Sequence, residues 1–391
     1  MAGVGNQYDS AEDQAEALQV DDGRNMKSWK DKPMTGYKCD QKKGILRTPS
    51  EIGTSAIGVQ NGSRRTSRKM HAPPRGLVYA IYYTALAVIA VPVNVVAIVI
   101  LSRGNCGLTR CISRYLVSMA VTDLLVIITA VILNRIPAIY FPGSFLSITP
   151  VCSFSIAIIY AARDSSVWLT VMFTFDRYVA ICWQKLKVKY CTHRTAGIVV
   201  SVVCTLGCVI NIPWYFMNEP IYVIDNVPWY CKQRDIRYTF LLWTIFDWAD
   251  RVVTPCLPFL LIISFNTLTV SHILVANRAR RRLQSCPTGE RQSDPEMESR
   301  RKSIVLLFAI SGCFILLWMP YVVYFFVHRF QVGDAIIGYS DPRYILMEIA
   351  NVLQMLSCCT NTFIYAVTQN KFRKELKNLI YPRNISHSLS K

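Results

Sequence analysis

The sequence predicts an all-α membrane protein, a seven-transmembrane helix bundle followed by a short amphipathic eighth helix. Three observations predict it. Of 391 residues, 52% are hydrophobic and 17% charged, against roughly 25% charged in soluble domains, and the mean hydropathy is +0.27. The charges crowd into a few segments and leave apolar windows of about 20 residues or more, the length that spans a hydrocarbon core. Seven such windows follow one another, approximately 77–101, 113–134, 151–182, 196–217, 238–276, 303–327 and 343–368. The third and fifth are long because their helices continue past the hydrocarbon.

Residues 1–75 are polar and rich in Gly, Ser and charge, and read as a disordered extracellular tail. Their first 20 residues have no apolar core of the kind a secretory signal carries. Asn61-Gly62-Ser63 is an acceptor sequon for glycosylation on an extracellular tail. Residues 76–369 form the seven-helix domain, and 370–391 the eighth helix with a short cytoplasmic tail.

Seven crossings place the termini on opposite sides, and Lys and Arg decide which side is which. The third connector carries Lys185, Lys187, Lys189 and Arg194; the fifth runs from Arg278 to Lys302; the C-terminal end adds Lys371, Arg373, Lys374 and Lys377. The opposite connectors are poorer and mixed in sign. The N-terminus is therefore outside, although Arg64, Arg65, Arg68 and Lys69 argue the other way.

The net charge of +18 does not indicate nucleic acid, because the basic residues flank apolar spans and line no single soluble face. The 14 cysteines form no CxxC pair, and the five histidines are scattered; neither a metal site nor an enzyme's nucleophile–base set is predicted. A seven-helix transporter using intramembrane charge as its substrate site is the competing reading. It calls for internal repeats or Gly-broken helices, which the sequence lacks.

Asp176-Arg177-Tyr178 ends the third apolar run. Cys152 opens the same run about 25 residues earlier, a rise of roughly 38 Å and so a full crossing. Cys152 then lies at the outer surface and Arg177 at the inner one. Cys231 is the one cysteine of the second outer connector, and a Cys152–Cys231 disulfide is expected.

These residues resemble the rhodopsin-like (class A) G-protein-coupled receptors over about 77–380. "VPVNVVAIVIL" carries Asn94, "SMAVTDLL" carries Asp123, and "FDRYVAIC" follows Cys152 at the family's spacing. "FILLWMPY" carries Trp318 and Pro320, "NTFIY" runs from Asn361 to Tyr365, and "NKFRKEL" looks like the amphipathic eighth helix. Within the family, "SSVWLTVMFTFDRY" and "SRYLVSMAVTDLLV" look like the orphan subgroup of G-protein coupled receptor 139. That subgroup responds to aromatic amino acids and signals through the Gq class.

The resemblance implies a plasma-membrane receptor for a small polar, aromatic or peptide ligand. It implies heterotrimeric G protein, arrestin and membrane lipids as partners, and no nucleic acid. It assigns Asp176, Arg177, Tyr178, Trp318, Pro320, Asn361 and Tyr365 to the switch that couples to the G protein. Asn94, Asp123, Ser166, Ser357 and Asn361 match a polar pocket that holds water and a structural sodium ion. Polar glue between helices is the plainer reading of that cluster. Pro255 and Pro320 open the backbone ladder and allow bending.

A second charged layer has no place in these motifs. Arg163 and Asp164 lie about 17 Å below Cys152 by helical rise. Asp247, Asp250 and Arg251 share one face of the fifth helix. Such groups do not face lipid. They either neutralise one another, for example Asp164 with Arg251, or recognise a zwitterionic ligand. Arg135, Trp243, His328, Glu348 and Asn351 form the expected rim of that ligand pocket, with Trp214 and Tyr215 as weaker candidates. Four departures from the family stand out. Thr362 replaces the seventh-helix proline, Ile263 a fifth-helix tyrosine, and Val203 or Cys204 the fourth-helix tryptophan; "CWQKLK" lacks a proline.

Overall fold

The computed structural model describes residues 74–141, 143–234, 240–283, 295–330 and 342–381. Several expectations fall outside them: the tail with Asn61, residues 284–294 of the basic fifth connector, and the last ten residues. The side chains of Arg251, Pro255 and His328 are likewise outside the described set.

Eight helices carry the fold. They are α1 (Pro74–Ser102), α2 (Arg110–Tyr140), α3 (Thr149–Cys182), α4 (His193–Asn211), α5 (Leu241–Leu283), α6 (Pro295–Phe330), α7 (Pro342–Thr368) and α8 (Asn370–Ile380). Among the described residues, six helices are long and apolar enough to cross a membrane, namely α1 to α6, with α4 extended through Phe216. The seventh, α7, falls short because its inner face is polar: Glu348, Asn351, Gln354 and Thr362 are all buried. Bundle position, not apolarity, makes it a span.

Local signals set the ends. Thr109 caps α2 by accepting from Ile112 N, and Thr192 caps α4 by accepting from Thr195 N. The outer half of α2 is a π-helix, Ile127–Arg135, which returns to α-helix at Ile136. Pro137 cannot donate to a carbonyl in the preceding turn, so the widened ladder ends there. At Gly207 of α4, an added Cβ would meet Ser165 Oγ at 2.5 Å and Ala161 O at 3.3 Å on α3. The missing side chain lets α3 and α4 approach closely at this turn.

The core divides into an inner and an outer part. The inner part gathers Leu116, Met119, Leu169, Phe173, Leu306, Ile310 and Tyr365. Phe372 of α8 is fully buried there, its ring edge-on to Tyr365 at 6.0 Å. Arg373 Nη1 donates to Val367 O at 2.9 Å and so closes the C-terminal end of α7. Outside, Cys152 and Cys231 are disulfide-bonded, as the sequence predicts. The bond holds two short ribbons over α3: β1 (Asn218–Glu219) with β4 (Lys232–Gln233), and β2 (Tyr222–Ile224) with β3 (Val227–Trp229). Asp225 and Asn226 both take positive φ, the turn geometry that closes a two-residue hairpin. Thr149 Oγ1 donates to Tyr230 O at 2.6 Å and pins the ribbon to the start of α3.

Candidate functional site

The inner end of α3 carries the first cluster. Asp176 and Arg177 are buried, at 1% and 5% exposure, and form an ion pair. Arg177 Nε donates to Asp176 Oδ2 at 3.1 Å. Cys111 of α2 donates its thiol to the other oxygen, Oδ1, at 3.3 Å. Arg177 Nη1 donates to Ser303 Oγ at 3.3 Å, which ties α3 to the inner end of α6. Burial, helped by the nearby Asp176 carboxylate, pushes the Cys191 thiol up to about 12. It stays protonated at neutral pH and donates to Asp176 O at 3.6 Å. Tyr178 stacks on Phe265 of α5 with ring centres 5.7 Å apart, and its hydroxyl accepts from Trp183 Nε1 at 3.1 Å.

Midway through the bundle, Asp123 is 2% exposed. Ser166 Oγ donates to its Oδ1 at 2.5 Å and Asn361 Nδ2 to its Oδ2 at 2.9 Å. Burying a carboxylate is costly unless it is bonded in this way. These side chains, with Thr170, Trp318 and Ser357, line a cavity of about 20 Å³, room for a water-sized species. Its oxygen donors are of the hard kind that suits a sodium ion. Asn94 needs correction: its amide donates to Ala90 O at 3.0 Å and Cys358 O at 2.9 Å, joining α1 to α7 and not to Asp123. Ser357 also works one step away, since it accepts from Trp318 Nε1 at 3.2 Å and donates to Gln354 O at 2.6 Å. Trp318 stacks on Phe314 one turn earlier (5.2 Å) and lies two residues before Pro320, which leaves the Leu316 carbonyl without its helical donor. Tyr365 is fully buried, its hydroxyl without a partner among the described residues.

The outer layer divides among the helices. Arg163, Asp164, Asp247 and Asp250 are each about 5% exposed. Asp164 does not meet an arginine among the described side chains: Asn211 Nδ2 of α4 donates to its Oδ2 at 2.9 Å. Arg163 turns to α7, where Nη1 donates to Gln354 Oε1 at 3.4 Å. Its guanidinium carbon lies 4.8 Å from the Tyr160 ring centre. On α5, Asp250 accepts from Thr254. Arg135, at the end of the π-helix, covers the Tyr83 ring at 5.5 Å and lies in the field of buried Glu348. Trp214 is fully buried against Tyr160 (4.7 Å) and Phe246, and half-buried Trp243 joins that aromatic group from the top of α5; Tyr215 is exposed.

Sequence reasoning missed Asn211, Gln354, Ser303 and Cys111. Asn211 and Gln354 carry a signal, an amide inside an apolar run. Ser303 and Cys111 carry none, because a serine or cysteine at a helix end is ordinary.

Seven helices around a buried carboxylate, with a closed Asp–Arg pair at the inner end, define a membrane-receptor scaffold. The chain belongs to the rhodopsin family of 7 transmembrane receptors, whose family model matches residues 93–365. It is 25% identical to the FMRFamide receptor of Drosophila melanogaster, over 79% of this chain and 55% of that one. It is 24% identical to the probable G-protein coupled receptor 142 of Mus musculus, over 78% and 73%. The C-C chemokine receptor type 1 of Macaca fascicularis is 22% identical, over 78% and 80%. The chain thus spans little more than half the Drosophila receptor's length and about three quarters or more of the other two.

Proposed function

We propose that this chain is a cell-surface receptor with its N-terminus outside, which binds a small polar, aromatic or peptide ligand and activates heterotrimeric G proteins. The observation that carries the reading is the Arg177 pair. One buried guanidinium is held by Asp176 in its own helix and by Ser303 of α6. A ligand that favours the state in which α6 has moved away at its inner end releases Arg177 toward a G protein. The likeness of the second and third helices to the subgroup of G-protein coupled receptor 139 supports coupling through the Gq class. Arrestin and anionic lipid are further partners on the inner face. A sodium ion beside Asp123, held by Asp123 and Ser166, would favour the resting state.

The test is guanine-nucleotide exchange on a panel of G proteins, in membranes carrying the protein or its Arg177→Ala variant, with aromatic amino acids and small peptides added. Exchange that rises with one ligand and is lost in Arg177→Ala supports the proposal. Ligand-driven uptake or current without exchange defeats it in favour of transport.

A further inference from the structure

Arg177 is held unevenly. Asp176 takes its Nε and Nη2 in a charged pair, whereas Nη1 meets the neutral Ser303 Oγ of α6 at 3.3 Å. A hydroxyl holds a guanidinium less firmly than an anion does, so the bond across to α6 is the weaker of the two. Ser303 is half-buried, one turn inside the bundle from the exposed Arg301 and Lys302. In the chain it closes the run Arg300-Arg301-Lys302-Ser303. A serine directly after consecutive cations is the charge pattern by which basophilic protein kinases choose their substrates. A sequence pattern and a contact with the switch arginine therefore fall on the same side chain.

We propose that Ser303 is a phosphorylation site for a basophilic serine kinase, and that its phosphate closes α6 onto Arg177. In the step, the kinase's base takes the hydroxyl proton and Oγ bonds to the γ-phosphorus of ATP. The bond from that phosphorus to the ADP oxygen breaks, and ADP leaves. The product carries a charge of about −1.5 to −2 and three acceptor oxygens, set where a neutral oxygen already meets Nη1. The guanidinium then stands between two anions, and the α3–α6 tie becomes a charged one. The inference rests on the receptor reading, which puts this end of α6 in the cytoplasm with ATP and makes the tie a restraint on coupling. Modification also acquires a direction. Ser303 is engaged while α6 is closed and comes free when its inner end moves away, so the kinase acts on the released state and returns it to the closed one.

The test incubates the purified full-length protein in detergent with Mg-ATP and the catalytic subunit of cyclic-AMP-dependent protein kinase, and maps the phosphate by mass spectrometry. Mapping is needed because Arg64-Arg65-Thr66-Ser67 in the N-terminal tail has the same charge pattern. Phosphate should enter at Ser303, and several-fold faster in Asp176→Asn, where Arg177 is less restrained. Kinase treatment should raise the Tm of the parent by a few degrees and leave that of Ser303→Ala unmoved. Ser303→Glu carries an anion of similar reach; it should melt above Ser303→Gln, but not when Arg177→Gln is added to both. No phosphate at Ser303 in either protein, a Tm unmoved or lowered by it, or a Ser303→Glu gain that survives Arg177→Gln overturns the proposal. Should Arg177→Gln fail to fold, the phosphate map and the melting shift decide. No G protein enters these measurements, so the site and the receptor reading fail separately. In membranes, Ser303→Glu should lower ligand-driven exchange several-fold against Ser303→Gln. Equal exchange in the two would sink the closing effect and keep the receptor, while mapped phosphate and a raised Tm without exchange under any ligand would do the reverse.

Discussion

The two buried arginines of α3 handle an adjacent aspartate in opposite ways. Arg163 and Arg177 are each 5% exposed, and each has an aspartate as its chain neighbour. Arg177 is paired with Asp176, while Asp164 takes its hydrogen bond from Asn211, its other oxygen without a partner among the described residues. The neighbouring helix makes the difference. At the inner end α2 offers Asp176 only the Cys111 thiol, a weak donor. In the outer layer α4 offers Asp164 a full amide. Sequence adjacency therefore does not decide pairing.

The comparison can be broken from several sides. The largest effect is expected above the outer layer. Cys152→Ser opens a covalent loop with a sequence separation of 79 residues and should cost roughly 4 kcal/mol by chain entropy. Thermal melting and surface expression would both fall, and unchanged melting would show that the Thr149 and backbone contacts suffice. Next comes the inner pair itself. Asp176→Asn removes a charged hydrogen bond of about 1.5–3 kcal/mol and should raise ligand-free nucleotide exchange at least several-fold; unchanged basal exchange would mean that Asp176 does not restrain Arg177. Gly207→Leu forces a side chain into the α3–α4 seam that sets Asn211 against Asp164. Overpacking of that kind costs about 1–3 kcal/mol, read as a lower Tm in detergent. Ser303→Ala is the mildest. It removes one hydrogen bond between α3 and α6, about 0.5–1.5 kcal/mol, and basal exchange should rise less than in Asp176→Asn. A larger rise would move the main restraint from Asp176 to Ser303.

The membrane spans were legible because hydropathy and length are properties of a single segment. Their observed ends depart by a few residues, mostly where helices extend into the polar inner side, as α5 does to Leu283 and α6 from Pro295. The disulfide was legible because the second outer connector has one cysteine to offer. The π-helix in α2 was not, since it depends on how the turn before Pro137 packs. Within the polar sites, residue identity was readable but partner choice was not. Asn94 had the right depth and turned to backbone carbonyls. Asp164 had an arginine beside it and took an amide. A choice between two nearby donors is set by side-chain direction around the helix, which spacing alone does not weigh against a neighbouring helix.

The polar inner face of α7 has a consequence for how the chain is made. Glu348, Asn351, Gln354 and Asn361 lie on α7, which among the described residues falls short of the apolarity of a membrane span. Glu348 stands in the outer turns of α7 and three amides continue the polar face inward, so α7 enters lipid less readily than the other six helices. It is also the last of these seven helices to leave the ribosome, when Asp123 and Arg163 are already made without Asn361 and Gln354. Each half is thus the missing solvent of the other: the six finished helices recruit the seventh, and a chain cut short before residue 342 would strand two buried charges in the bilayer.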